Sequence, residues 1–365
     1  MDNENQPKSP GRRNIIKLLA VGAAVYAPFV WTRSRTTPKE QIVVRDPGGL
    51  ISELYREVFY DPFEHKTGIK VIGALSKPEP IAQIRMMVEQ SNYSWDIANL
   101  NHRSVLLLTT GNNIYLEEHR LKHDPIISGI APQFLSPYGV GTNVYTTVLT
   151  YRTDVFKNCR SPQSWQDFGD VNNFPGRRSL RNLPFETIEI ALMAAGVSLD
   201  KIYPCDLNKA LESLSKIEPY IPVWWTTGAQ SEHFLNSGEA DLMSAFISKV
   251  QKAIKDGKPL AFSWDQHIYA YENWTILKGT PKANACREFI KFASDPKRQA
   301  KLAPYAIGPT HTDAFKYIDK KQTKLLPTYP DNLKKGLFID ASYWLEHQNI
   351  VFDRFNEWKL GSVNA

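Results

Sequence analysis

Between Phe262 and Ser294 the spacing of large side chains changes once, from a period of two to a period of about 3.6. Ile268, Ala270, Glu272 and Trp274 alternate with Tyr269, Tyr271, Asn273 and Thr275, which predicts a strand carrying an acid on one face. Gly279 and Pro281 break that pattern. Ala285, Phe289, Ile290 and Phe292 then recur at helical spacing until Ser294, Asp295 and Pro296 end the helix. A strand with acids and aromatics that feeds a core-packing helix presents polar groups at the rim of an α/β domain.

The rest of the chain alternates short strands with amphipathic helices. Residues 41–45 are a β-rich run and Asp46-Pro47-Gly48-Gly49 a turn. Leu50, Leu54, Val58 and Phe59 form one side of a helix that Thr67-Gly68 closes before a strand at 69–72, a βαβ opening. Further on, the pattern predicts a helix over 78–90, strands over 94–98 and 137–151, and a helix over 186–195 stopped by Gly196. Tyr203-Pro204-Cys205-Asp206 then leads into a helix through Ala210, Leu211 and Leu214, and a strand from Val223 ends in a turn by Gln230. No internal repeat or low-complexity linker interrupts the series.

At the N-terminus, Gly11-Arg12-Arg13-Asn14-Ile15-Ile16-Lys17 precedes an apolar run from Leu18 to Trp31. A basic stretch followed by a short apolar run is a secretory signal, and the paired arginines resemble the twin-arginine export motif. The run is shorter than the ~20 residues that span a bilayer. Residues 1–37 are therefore expected to address the chain to the twin-arginine translocase and the periplasm. The segment is either cut near Thr36 or kept as an inner-membrane anchor, and no cysteine lies near the run to carry a lipid.

Composition narrows the class. The 365 residues, 42% hydrophobic and 22% charged, suffice for two ordinary domains with substantial cores. The net charge of +6 invites a nucleic-acid reading, but seven basic against three acidic side chains within residues 1–40 carry four of those charges. The remainder of the chain is too nearly neutral to track a phosphate backbone, so no nucleic-acid partner is expected. Cys159, Cys205 and Cys286 are widely spaced, which leaves open one bridge or three inert thiols. There is no GxSxG elbow and no P-loop. His119 and His123 lack the glutamate of a zinc-protease pair and are expected on a solvated helix face. No catalytic group, metal or cofactor is expected.

The segment VVRDPGGLISELYREVFYDPFEHKTGIKV, then SWDIA at 94–98, PYGVGTNVYTTVLTY at 137–151, Pro162-Gln163-Ser164-Trp165 and Val223-Trp224-Trp225-Thr226-Thr227-Gly228 are collinear with one family across residues 41–314. Together they resemble the bacterial periplasmic solute-binding proteins of ABC importers, in the spermidine/putrescine-binding group. The resemblance implies a two-lobe α/β fold of type II with mixed sheets and hinge crossings near 145–151 and 269–274. Lobe 1 would comprise 41–148 and 270–300, and lobe 2 residues 149–269 and 301–365. It further implies a monomer that delivers a small amine-bearing solute, a polyamine such as putrescine or spermidine, to an inner-membrane permease with its ATPase. The alternatives are a zwitterionic solute such as 4-aminobutyrate or a betaine, and a secreted enzyme on a similar fold.

An ammonium ligand needs π-faces for its charge and a carboxylate to replace lost water. Trp224, Trp225, Trp264, Tyr271 and Trp274 are candidate faces, although a strand tryptophan also suits a core; Asp46, Asp265 and Glu272 are candidate charges. The resemblance sets an acid against the ligand amine at Glu272. Gly48 and Gly49 would let backbone N–H groups approach a ligand, or would serve a tight turn. Lys249, in a Phe246-Ile247-Ser248-Lys249 stretch where some members carry Trp-Asn-Gly-Arg, could meet a carboxylate without the fork of arginine.

Overall fold

The computed structural model describes residues 40–75, 80–158 and 160–363. The export segment at 1–37 and Cys159 lie outside the described residues. Among the described residues no helix is long and apolar enough to cross a membrane.

Eleven strands among these residues join in one sheet. They are β1 (Gln41–Asp46), β2 (Lys70–Leu75), β3 (Ile97–Asn101), β4 (Leu116–Glu117), β5 (Leu135–Ser136), β6 (Gly139–Arg152), β7 (Arg178–Arg181), β8 (Val223–Trp225), β9 (Leu242–Phe246), β10 (Leu260–Leu277) and β11 (Leu337–Phe338). The order is β2-β1-β3-β10-β6-β9-β7-β8, with β4 and β11 on β10 and β5 on β6. Strands β2, β1 and β3 run parallel, as do β8, β7 and β9. Between these groups β10 and β6 pair antiparallel with each other and with β3 and β9.

β6 and β10 are 14 and 18 residues long, roughly 45 and 60 Å of extended chain, so each runs through both groups of parallel strands. Dense β-branched and aromatic residues suit them to that length. Their register slips between Ser263 and Ile268. Gln266 has φ 59° there, and its carbonyl accepts the indole N–H of Trp165 at 2.9 Å.

The first helix runs from Gly49 to Tyr55, widens through a π-helical turn at Arg56–Tyr60, and continues over Asp61–Thr67. Gly68 ends it in the left-handed conformation, φ 78°, which glycine adopts without a Cβ clash. Its Phe59 packs on Trp274, and its Tyr60 and Phe63 pack on Phe289 of the helix Ala283–Ala293. A second core gathers Leu149, Trp165, Leu211 and Trp344 under the helices Pro184–Ala194, Leu207–Ile217 and Ala341–Val363.

Most boundaries differ from the sequence pattern by one to three residues, and two of the differences carry structural meaning. The strand expected over 94–98 pairs as Ile97–Asn101 instead. Trp95 is buried ahead of it, and the Asp96 carboxylate accepts the Val43 N–H at 2.8 Å and the Thr280 hydroxyl at 2.6 Å, so these two residues anchor the strand's entry. The helix expected from Glu186 begins at Pro184, and Phe185 and Glu186 hold non-helical backbone within it.

Candidate ligand-binding site

Register locates the site. At the end of β3, Asn101 pairs with Glu272, which pairs with Asn143 of β6; at the end of β9, Phe246 pairs with Thr147. The C-terminal ends of the two parallel groups therefore face each other across residues 143–147, four residues or roughly 13 Å of strand. Ligands of open α/β sheets sit beyond such strand ends.

At the middle of that gap Tyr145 pairs with Ala270. Tyr145 is partly exposed in an otherwise buried stretch of β6, and Ala270 and Glu272 are the partly exposed positions of β10 between His267 and Leu277. These three side chains share one face and form the floor. Burial raises the Tyr145 phenol pKa well above its ordinary value; Glu272 and Glu186 raise it further, while Arg181 and Arg103 pull it back. Two carboxylates and two guanidinium groups thus act on one hydroxyl.

Arg181 ends β7 and lies over the rings of Trp225 and Phe246, 5.4 and 5.7 Å from their centroids. It stands 3.8 Å from the Glu186 carboxylate, and its buried Nε has no partner among the described residues. Glu186 is buried, accepts the Thr147 hydroxyl at 2.8 Å, and burial raises its carboxyl pKa. Its φ of +67° is strained for a residue with a Cβ, and strain of this kind collects at functional sites. Behind Asn143, Tyr55 is buried in the first core and accepts a hydrogen bond from Asn143 Nδ2, and burial, then Glu272 and Asp46, raise its phenol pKa.

The residues singled out in the sequence scatter around this floor. Glu272 belongs to it, while Trp225 is buried as the ring beneath Arg181 and beside Phe246 at 5.4 Å. Asp46 is buried and spent on its own turn, accepting from Gly48 N, Ser52 Oγ and Tyr60 Oη. Gly48 and Gly49 have φ of 87° and 59°, which the turn requires. Lys249 pairs with Glu232 at 2.6 Å. Asp265 pairs with Lys335 at 2.9 Å in the slipped part of β10, where Trp264 packs on Phe262 and His267.

Trp224 packs against Trp358 with the Lys359 ammonium 3.5 Å above its ring. Trp274 continues the face of Glu272 but is covered by Tyr55 and Phe59 of the first helix. Tyr271 lies on the other face of β10, its hydroxyl 2.8 Å from His102 Nδ1. Sequence reasoning missed Tyr145, Arg181 and Glu186. A cation closing a strand three residues before Pro184 was the available signal for Arg181, while nothing in the pattern marked Glu186.

His119 corrects another expectation. It lies in an irregular segment after β4, buried, with Nε2 2.8 Å from the Ser136 carbonyl and Nδ1 accepting the Leu121 N–H at 2.9 Å. It pins a loop and does not face solvent on a helix. Among the described residues no group of three or more His, Cys, Asp or Glu side chains is placed to hold a metal. Cys205 and Cys286 are free thiols, and burial raises both. Two surface grooves of about 490 and 400 Å³, one beside Phe134 and Leu333 and one beside Tyr93 and Tyr115, lie away from the floor.

Opposed strand ends across two long crossing strands make this a two-lobe α/β periplasmic binding-protein fold. Residues 59–328 match the family described as bacterial extracellular solute-binding protein. The chain is 33% identical over 331 residues, 87% of its length and 91% of the relative's, to a gamma-aminobutyric acid-binding protein of Pseudomonas aeruginosa. An ABC transporter substrate-binding protein of Bradyrhizobium japonicum superposes with a TM-score of 0.80 at 32% identity, over 87% of this chain and 99% of that one. A solved GABA receptor does so with 0.78 at 28% identity, over 87% and 97%. The chain belongs to the bacterial extracellular solute-binding proteins.

Proposed function

We propose that this ABC-importer binding protein captures a small zwitterion whose amine and carboxylate stand a short chain apart, with 4-aminobutyrate as the reference ligand. The observation that carries the reading is the placement of Glu272 on the floor beside Tyr145 and, across it, of Arg181 over Trp225 and Phe246 with its buried Nε unpartnered among the described residues. Such a site offers an acid to an ammonium and a guanidinium to a carboxylate. A diamine could set one ammonium against Glu272, but its second would meet the Arg181 guanidinium where a carboxylate is wanted, a like-charge contact that costs several kcal/mol.

In this reading Glu272 receives the ammonium beside Tyr145. Arg181, backed by Trp225 and Phe246, receives the carboxylate through its fork. The Pseudomonas relative and the solved receptor are both named for gamma-aminobutyric acid, which supports the zwitterion over the polyamine. The lobes divide at the crossings of β6 and β10, as 41–148 with 270–300 and 149–269 with 301–365, and close by bending there. The monomer is exported through the twin-arginine route by residues 1–37, works in the periplasm, and hands its solute to the permease and ATPase.

A thermal-shift panel of 4-aminobutyrate, betaines, putrescine, spermidine and common sugars tests this. Ligand at 100 times its dissociation constant adds about 2.7 kcal/mol of stability. A shift with 4-aminobutyrate and none with the polyamines is expected; the reverse order defeats the zwitterion.

A further inference from the structure

Arg103 does more than add charge to the site. It opens the helix His102–Thr109 directly after β3, on the side of the sheet that carries β1 and β2. Its Nη1 donates to Oε1 of Gln348 on the helix Ala341–Val363, and its guanidinium lies 5.4 Å from the Phe185 ring. Phe185 belongs to the segment that follows β7, beyond β6 and β9 in the sheet. One side chain from the β3 side thus grips two elements of the far side.

The seat it grips is built, not incidental. The broken backbone at Phe185 and Glu186 turns Phe185 out of its helix and onto Trp344, ring centroids 4.0 Å apart and stacked at 19°. Trp344 is fully buried, and its indole N–H is held by Glu189 Oε1 at 2.7 Å, which also accepts the Tyr203 hydroxyl at 2.7 Å. A guanidinium over an aromatic face with a side-chain amide acceptor beside it is a directional contact, formed only when both sides are close.

We propose that Arg103 is a positioning residue that clasps the cleft shut, with Phe185 on Trp344 and Gln348 as its seat, and so sets the residence time of the bound solute. The clasp rests on the two-lobe binding reading but not on the identity of the solute. Closure held by protein–protein contacts adds to whatever the ligand contributes, so loss of the clasp appears in the dissociation rate and in the ligand-free shape.

The test uses protein purified from the periplasm, with Arg103→Ala and, on a partly exposed helix position where misfolding is not a concern, Gln348→Ala. Ligand-free solution scattering should show a larger radius of gyration for both variants. Stopped-flow release of 4-aminobutyrate should be about fivefold faster or more in both variants, with the association rate and melting temperature unchanged in Gln348→Ala. An unchanged ligand-free radius with release within about twofold of wild type in both variants overturns the clasp. So does a lowered melting temperature with unchanged release, the signature of a merely structural contact. Failure of wild type to bind 4-aminobutyrate counts against the zwitterion, and the ligand-free scattering still decides the clasp.

Discussion

Arg181 and Glu186 approach to 3.8 Å at the turn joining β7 to its helix, while Glu186 spends its other oxygen on Thr147. The pair is loose for an ion pair, and it leaves the buried Nε of Arg181 without a partner among the described residues. A buried donor left unmade costs about 1–3 kcal/mol. A ligand carboxylate reaching that guanidinium would satisfy the donor and complete the fork. Arg181→Met keeps the apolar stem over Trp225 and Phe246 and removes the charge. It should weaken 4-aminobutyrate at least thirtyfold, about 2 kcal/mol, in calorimetry. Retained affinity within threefold would remove Arg181 from the carboxylate subsite.

Glu272 carries the matching prediction at the other end. Glu272→Gln preserves shape at the partly exposed floor and leaves an ammonium facing a neutral amide. Truncating one partner of such a pair costs ~2–5 kcal/mol, so at least a thirtyfold weakening is expected, with little change in the melting temperature of the empty protein. Binding within about threefold makes Glu272 structural.

Much of the fold was legible because periodicity is local. The switch from alternation to helical spacing after Gly279 appears as β10 and the helix Ala283–Ala293, and Thr67-Gly68 ends the first helix as its sequence requires. The site was less legible because it depends on pairing. Glu272 could be placed on a strand face, but whether Trp274 beside it met ligand or core depended on the first helix lying over it. Tyr145 lay inside the expected crossing and gave no sign that it, and not Tyr271, would face the cleft. Asp46 looked like a ligand carboxylate and is consumed by the turn that it follows into the helix.

Glu189 gives a pH dependence of stability. Burial pushes its carboxyl up to about 7 from an ordinary 4.5, against the opposing hydrogen bonds of Tyr203 and Trp344. Between those values the folded protein holds a proton that the unfolded chain has released. Its contribution therefore falls as pH rises through that window and is flat above it, by an order of 3 kcal/mol in all. Glu189→Gln keeps an oxygen for both donors, since both bond Oε1. The variant's melting temperature relative to wild type should rise between pH 5 and pH 8 in buffers of equal ionic strength; a difference that does not change with pH removes Glu189 as the cause.

Export is tested at Arg12 and Arg13. The translocase receptor reads the guanidinium pair and not charge alone, so a double substitution to lysine should leave folded protein in the cytoplasm on cell fractionation. Undiminished periplasmic protein rules out the twin-arginine route.

The most direct test of the central claim is isothermal titration of wild-type protein with 4-aminobutyrate, putrescine and butyrate under one buffer and salt. These share a four-carbon chain and differ only in which end groups they carry. A site with an acid at one end and a guanidinium at the other should bind 4-aminobutyrate at least a hundredfold, about 2.7 kcal/mol, more tightly than either of the others. Putrescine binding as tightly as 4-aminobutyrate, or more tightly, would contradict the account.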